Sequence, residues 1–345
     1  MDKLFDELKV DGVLVTSPYN MRYVSGFSGG EGAILITPSK KYIFVDGRYT
    51  IQAKQQTNGF SVVEFKKGLF SELAEFTFNA IGIEEDFVTF SFYQKLKDVF
   101  KNCEFKGISS YLETKRSVKT DEEIMYIKKA EETGDKAFSY ILGLIKEGVT
   151  EKELAAEIEH FMKKSGADGI AFDTIVAFGE RCALPHAYPT DRKLKRNEFV
   201  LFDYGCTVNG YCGDMTRTVY FGKATKEEKE VYNLVLKAQT KSLSKIKSGV
   251  KCSEVHNVAV DVLKTKGIDR YFTHSLGHGA GLKIHESPNL SPKSTVILQE
   301  NMVVSVEPGV YFENRYGIRI EDLVSVTKDG YCNFTKSDKS FIEIN

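Results

Sequence analysis

Phe202-Asp203-Tyr204-Gly205-Cys206-Thr207-Val208-Asn209-Gly210-Tyr211-Cys212-Gly213-Asp214-Met215-Thr216-Arg217-Thr218 carries the strongest local instruction in the chain. Asn209-Gly210 favours a two-residue β-hairpin loop, because both loop positions need positive φ. With that loop Val208 faces Tyr211, Asp203 lies opposite Thr216, and Asp214 lies opposite Gly205. The two aspartates then share a face as diagonal neighbours, roughly 7–8 Å apart at the backbone. From there their side chains can converge on a shared cation, provided no bulge breaks the parity. The preceding Phe199-Val200-Leu201-Phe202 is apolar on both faces. That pattern predicts a buried central strand, and an aspartate on such a strand needs a partner.

Outward from the hairpin, residues 272–288 (FTHSLGHGAGLKIHESP) hold His274, His278 and His285. His274 and His278 have the spacing of a zinc-binding HExxH helix. Gly277, Gly279 and Gly281 disfavour a helix, however, and no glutamate follows His274. The glycines instead permit sharp turns and close approach to a metal site or a substrate. One imidazole suffices as a ligand, leaving the others to bind substrate or move protons near neutral pH. The competing reading of any one of them is a hydrogen-bonded core histidine. His160 and His256, on predicted helices, read as surface or packing residues.

Glu307 ends the apolar run Val303-Val304-Ser305-Val306 just before Pro308-Gly309, and Glu321 stands two residues after Arg319, on the same strand face. An inward carboxylate beside an inward guanidinium is held ionised, as a ligand or as a plain ion pair. A return of the chain at 313–317 would set Glu307 against Glu321. Asp203, Asp214, His278, Glu307 and Glu321 together form an oxygen-rich set, too large for one structural zinc. Such a set suits a pair of divalent ions that activates a water.

The chain has 345 residues, which predicts two domains, since single cores stop growing at roughly 250–300 residues. With 42% hydrophobic and 28% charged residues it has the profile of a globular protein. Lys and Arg total 47 against 48 Asp and Glu, and the net charge is −1. Without a basic run there is no electrostatic footprint for nucleic acid or for a membrane surface. The first residues form no apolar signal core, and no apolar run reaches the roughly 18 residues of a spanning helix. The 6 cysteines (Cys103, Cys182, Cys206, Cys212, Cys252, Cys332) form no zinc-ribbon spacing and read as reduced thiols of a cytoplasmic protein. No GxSxG, GxGxxG or P-loop pattern appears, although Gly26, Gly29, Gly30 and Gly32 crowd one loop.

Residues 1–113 read as a smaller α/β domain. It has a strand at 12–15, a hairpin of 33–36 with 42–45, a helix at 48–56, an extended run at 62–65 and a strand ending at Ile83. Residues 114–345 read as an α+β domain built with hairpins rather than βαβ crossovers. Thr120-x-x-Glu123, Thr150-x-x-Glu153 and Thr225-x-x-Glu228 are helix capping boxes. Ser253 is expected to cap a fourth helix ending at Gly267. Strands are expected at 172–178, 199–208, 211–221, 302–306 and 317–326.

From Lys115 to the end these segments, in this order, resemble the metal-dependent peptidases of the pita-bread (creatinase/aminopeptidase) fold: aminopeptidase P, prolidase, methionine aminopeptidase and creatinase. The resemblance implies that Asp203, Asp214, His278, Glu307 and Glu321 hold two divalent metal ions, with Asp214 and Glu321 bridging. Mn²⁺ is the first expectation, with Co²⁺, Fe²⁺ or Zn²⁺ as alternatives. Ala183-Leu184-Pro185-His186-Ala187, the spacing of His274, His278 and His285, and Arg319 before Glu321 are similar to the Xaa-Pro branch. In that branch His186, His274, His285 and Arg319 would contact substrate, and His186, His285 and Glu307 would serve catalysis. Tyr23-Val24-Ser25-Gly26-Phe27 and Phe44-Val45-Asp46-Gly47-Arg48-Tyr49 resemble the extra N-terminal domain of short bacterial aminopeptidases P and prolidases.

The implied reaction is hydrolysis of the peptide bond before a proline by a hydroxide shared between two metal ions. Glu307 would take the water's proton, and His278 or His285 would support the tetrahedral intermediate. The first expectation is an Xaa-Pro aminopeptidase acting on peptides with proline at the second position, and the alternative is an Xaa-Pro dipeptidase (prolidase). Creatinase is more distant. So is a non-catalytic pita-bread binding module, which is usually marked by lost ligands and charged tails; here all five ligands are present and the sequence ends at Asn345 without a tail. The resemblance also implies a homodimer, and the charge balance leads us to expect neither nucleic acid nor membrane as partner.

Overall fold

The structure, a computed structural model, describes residues 2–345. The chain divides into two compact units, Met1–Arg116 and Ser117–Asn345.

The first unit runs α1 (Asp2–Leu8), β1 (Gly12–Val15), α2 (Pro18–Ser25), β2 (Ala33–Ile36), β3 (Lys41–Val45), α3 (Thr50–Gln56), β4 (Ser61–Glu64), α4 (Leu69–Leu73), β5 (Ala80–Ile83), α5 (Phe90–Val99), β6 (Glu104–Gly107) and α6 (Ser109–Ser117). Its six strands form one sheet in the order β4-β3-β2-β1-β5-β6. Strand alternation sorts the core by face. Val13, Val15, Ile34 and Ile36 join one cluster with Met21, Ala53 and Leu112, while Leu14, Ala33 and Leu35 join the other with Leu73 and Leu96. The boundary expected at 113/114 falls within α6, which carries the first unit through to Arg116. Helices α2, α4 and α5 are not announced by the sequence pattern.

The second unit contains α7 (Asp121–Leu142), α8 (Glu151–Lys164), β7 (Gly169–Ile170), β8 (Ile175–Phe178), β9 (Glu198–Tyr204), β10 (Cys206–Val208), β11 (Tyr211–Cys212), β12 (Met215–Phe221), α9 (Lys226–Lys245), α10 (Cys252–Lys264), β13 (Val303–Val306), β14 (Gly309–Phe312), β15 (Tyr316–Arg319), β16 (Asp322–Val326), β17 (Tyr331–Asn333) and β18 (Glu343–Ile344). The three capping boxes at Thr120, Thr150 and Thr225 are formed. Ser253 does not cap α10. The helix begins two residues earlier than that cap would set, at Cys252, with Lys251 at the N-cap and no side-chain cap bond.

Strand β9 is buried on both faces, as its apolar run requires. Phe199 and Leu201 pack with α9, α10 and the β13–β16 hairpin, whereas Val200 and Phe202 pack with α7 and α8. Two long hairpins deliver the polar residues. In the first, Asn209 and Gly210 take φ of 47° and 71°, Val208 faces Tyr211, and Asp203 faces Thr216. The register is unchanged from tip to base, but the ladder opens at Gly205 and at Gly213-Asp214, so the expected strands 199–208 and 211–221 are each split. The second hairpin repeats this form. Gly309 faces Arg319 in β14–β15, Val306 faces Asp322 in β13–β16, and the ladder opens at Glu307-Pro308 and Ile320-Glu321. The single strand expected at 317–326 is therefore two.

Gly205 is held at its opening by space, since a Cβ there would lie 1.9 Å from the carbonyl oxygen of Gly213. Gly205→Ala is expected to destabilise the protein by about 1–3 kcal/mol through overpacking, read as a lower urea midpoint at an unchanged m-value.

Candidate active site

Asp203 stays in the β9 ladder, opposite Thr216 and Ile175, and faces the cavity by strand alternation, whereas Asp214, Glu307 and Glu321 lie where the ladders open. The loop 274–286, from the sheet edge of the second unit, adds the imidazoles. One cavity of about 350 Å³ is lined by all nine residues singled out from the sequence: His186, Asp203, Asp214, His274, His278, His285, Glu307, Arg319 and Glu321. Phe172, Ile175, Pro185, Ile284 and Tyr311 line it as well.

Asp214, His278 and Glu321 offer ligand atoms that all lie within 4.8 Å of one another. The His278 Nδ1 sits 3.2 Å from the Gly279 carbonyl, which fixes the tautomer with the proton on Nδ1. The Nε2 lone pair is then free on the side facing Asp214 Oδ2 at 3.5 Å and Glu307 Oε1 at 3.3 Å. The Ser305 hydroxyl donates to Glu307 at 3.1 Å and the Thr216 hydroxyl donates to Glu321 at 2.7 Å.

Asp203 is turned toward Arg319, whose Nη2 donates to it at 2.5 Å. The guanidinium is buried and engaged all round. Nε donates to the Thr216 hydroxyl at 3.1 Å, and Nη1 donates to Tyr311 Oη at 2.7 Å and to the Pro185 carbonyl at 3.3 Å. Tyr311 also meets His274 Nε2 at 2.9 Å.

Charge decides what this cluster can hold. Burial raises the carboxyl of Glu307 to about 8, with Arg319 pulling the other way. Burial, and then the charges of the neighbouring carboxylates, push Asp214 and Glu321 well above the ordinary carboxylate range. Burial lowers His274 to about 4, helped by Arg319. It lowers His278 too, and it takes His285, next to His278 and His186, to about 4 as well. His285 is exposed to solvent even so. Neutral imidazole nitrogens beside crowded carboxylates form a donor set that fits divalent cations, because a cation relieves the repulsion that the protein itself leaves uncompensated.

Several contributors had no sequence signal: Thr216, which links Glu321 to Arg319; Tyr311, which links Arg319 to His274; and Glu131 on α7. The Glu131 carboxylate accepts the Asp214 amide at 2.9 Å and the Thr335 hydroxyl at 2.6 Å. The Cβ of a residue at 213 would press on Glu131, so the glycine beside Asp214 was the one indirect clue.

The profile of metallopeptidase family M24 matches residues 125–328, and that of the creatinase/prolidase N-terminal domain matches residues 1–118. The chain belongs to metallopeptidase family M24. It is 38% identical over 343 residues to a Xaa-Pro dipeptidase of Pyrococcus furiosus, covering 99% of this chain and 97% of that protein. The solved structure of a Xaa-Pro dipeptidase from Bacillus anthracis superposes with a TM-score of 0.95 at 39% identity, covering 99% of this chain and 97% of that one. That of an X-Pro aminopeptidase from Thermotoga maritima superposes with 0.91 at 38% identity, covering 98% and 99%. The α+β architecture, with a creatinase-type α/β domain before a pita-bread domain, is the one the sequence led us to expect. Among the described residues no helix is long and apolar enough to cross a membrane.

Membership of M24 implies divalent ions. In the metal-free protein Glu307 keeps a proton up to a pH of about 8 that the unfolded chain releases near the ordinary 4.5. Ionising it costs folded-state stability, so the melting temperature of chelator-treated protein should fall as pH rises from about 5 to 8. Loading with Mn²⁺ should remove that slope, and calorimetry in buffers of different ionisation enthalpy should show proton release on binding at pH 7. Thr216→Val removes a donor that aims Glu321 and should weaken metal binding by about 10-fold, measured by chelator competition.

Proposed function

We propose that the protein is an Xaa-Pro dipeptidase that uses a pair of divalent ions held by Asp203, Asp214, His278, Glu307 and Glu321. The observation that carries this reading is the convergence of those five side chains with His186, His274, His285 and Arg319 in one cavity. Its relatives across nearly the full chain include Xaa-Pro dipeptidases. The sequence reading placed the aminopeptidase first; the named relatives favour the dipeptidase. Mn²⁺ is the proposed ion because the donors are mostly hard oxygens. A homodimer and a cytoplasmic setting belong to the same proposal.

When bound, divalent ions supply Lewis-acid polarisation of the scissile carbonyl and a water that ionises near neutral pH. Glu307 takes up the proton of that water at its Oε atoms and returns it to the departing proline nitrogen. A peptide bond before proline has no N–H, so this polar cavity need not supply an acceptor for one. His186 and His285 stand at the exposed side of the cavity and donate to substrate oxygens. Arg319 acts by holding Asp203 and Tyr311 in place.

An Xaa-Pro aminopeptidase is the second reading, favoured by one specific observation. A dipeptidase must bind a free carboxylate beside the proline, yet Arg319, the sole lysine or arginine lining the cavity among the described residues, is already occupied by Asp203, Thr216, Tyr311 and Pro185.

Metal-stripped protein with Mn²⁺ restored should cleave Ala-Pro, leaving Ala-Ala-Ala intact. Weak or no turnover of Ala-Pro-Ala is expected of a dipeptidase. Comparable cleavage of both proline substrates would give the assignment to the aminopeptidase, and no manganese-dependent cleavage of either would end the Xaa-Pro reading.

A further inference from the structure

His186 reaches the cavity from a long excursion between β8 and β9, and its tip is the most exposed apolar part of the neighbourhood, with Leu184 50% and Tyr188 72% exposed. A segment so exposed keeps a defined shape only if its base is tied down. The tie is a carboxylate distant in sequence. Glu151, in the first turn of α8, is fully buried. It accepts from the Phe178 amide at 3.0 Å, where the excursion begins. It also accepts from the Thr190 amide at 2.9 Å and the Thr190 hydroxyl at 2.6 Å, where the excursion returns. Arg181 Nε donates to both Glu151 oxygens at 3.0 Å, and its Nη2 donates to the Tyr188 carbonyl at 2.6 Å.

One buried carboxylate therefore closes the loop at both ends and, through Arg181, holds the residue two beyond His186. A second clamp lies just outside the first, where Arg192 bridges Glu180 and Glu198 with closest contacts of 2.8 Å. Next to His186 itself, the Pro185 carbonyl accepts from Arg319. Such a closed set of ties fixes the loop with little residual freedom, and a side chain at its tip is preorganised for substrate.

We propose that Glu151 is a positioning residue for substrate binding, acting through Arg181 and Thr190 to hold His186 over the cavity. This deepens the proposed Xaa-Pro activity and rests on it. The competing view is that Glu151 only stabilises the fold, in which case its loss would act independently of His186.

The test is a double-mutant cycle with Mn²⁺-loaded protein, using E151Q, H186A and E151Q/H186A on Ala-Pro, with T190V as a milder cut of the same clamp should E151Q fold poorly. Glu151→Gln should raise KM by about 10-fold with kcat changed less than about 3-fold. On the His186→Ala background the same change should do nothing further. Hydrogen exchange of amides 181–190 should quicken in E151Q or T190V while β9 stays protected. An equal loss on both backgrounds, or unchanged exchange at 181–190, would overturn the proposal. If wild-type protein cleaves no proline substrate, the proposed function fails by itself, and the exchange measurement alone decides whether Glu151 holds the loop.

Discussion

The second unit is organised around an electrostatic conflict. Asp203, Asp214, Glu307 and Glu321 are drawn into one cavity whose walls, among the described residues, offer a single permanent cation, Arg319. Two like charges about 4 Å apart oppose each other by about 4 kcal/mol even at an effective dielectric of ~20. Whole domains are stable by only about 5–15 kcal/mol. Four ionised carboxylates cannot be held there by packing alone, and the upward shifts of Asp214, Glu307 and Glu321 are how the metal-free chain lowers the strain. Protons are the weaker solution. A divalent cation meets several carboxylates at once, so the same repulsion that disfavours the empty cluster favours binding.

Holding such a cluster requires that the backbone leave its ladders without orphaning polar groups. Both hairpins meet this requirement in the same way: each keeps its register and opens only where a carboxylate must turn inward. The freed amides find other acceptors. Glu307 donates to the Leu276 carbonyl and Glu321 to that of Thr216, while Asp214 donates to the Glu131 carboxylate. Constant register is what makes the openings tolerable. A slip by one residue would turn Asp203 toward the α7–α8 side of the sheet, where Val200 and Phe202 are packed. Arg217, from the first hairpin, ties the two together: it pairs with Asp322 at 2.9 Å and donates to the Glu321 carbonyl.

How far the fold and the site are legible in the sequence follows from the range of each interaction. The Asn209-Gly210 turn fixes register over a few residues, so the pairing of Asp203 with Thr216 can be read from the chain alone. Capping boxes are equally local, and Thr120, Thr150 and Thr225 form as expected. The openings at Gly205 and Glu307-Pro308 are not legible, because they exist to serve a cavity assembled from segments far apart in the chain. For the same reason Thr216, Tyr311, Glu131 and Glu151 carry no local signal; each gains its importance from a partner on another element. Ser253 fails as a cap because Thr and Ser near a helix start mark a boundary only to within a residue or two. The short helices of the first unit, such as α4 with five residues, are too brief to show a period.

The arrangement also separates two demands that a peptide-cutting site must meet. Burial keeps His274 neutral, and Arg319 is spent on Asp203 and Tyr311, so the inner cavity offers hydrogen bonds and a cation site but no spare positive charge. At the outer side of the cavity His186 and His285 are exposed to solvent, where water screens charge interactions. His186 is carried on a loop whose base is clamped to α8, and His285 on the separate loop 274–286, rather than on the hairpins that hold the carboxylates. The inner carboxylates and the outer histidines thus sit on different elements, joined where Arg319 donates to both Asp203 and the Pro185 carbonyl.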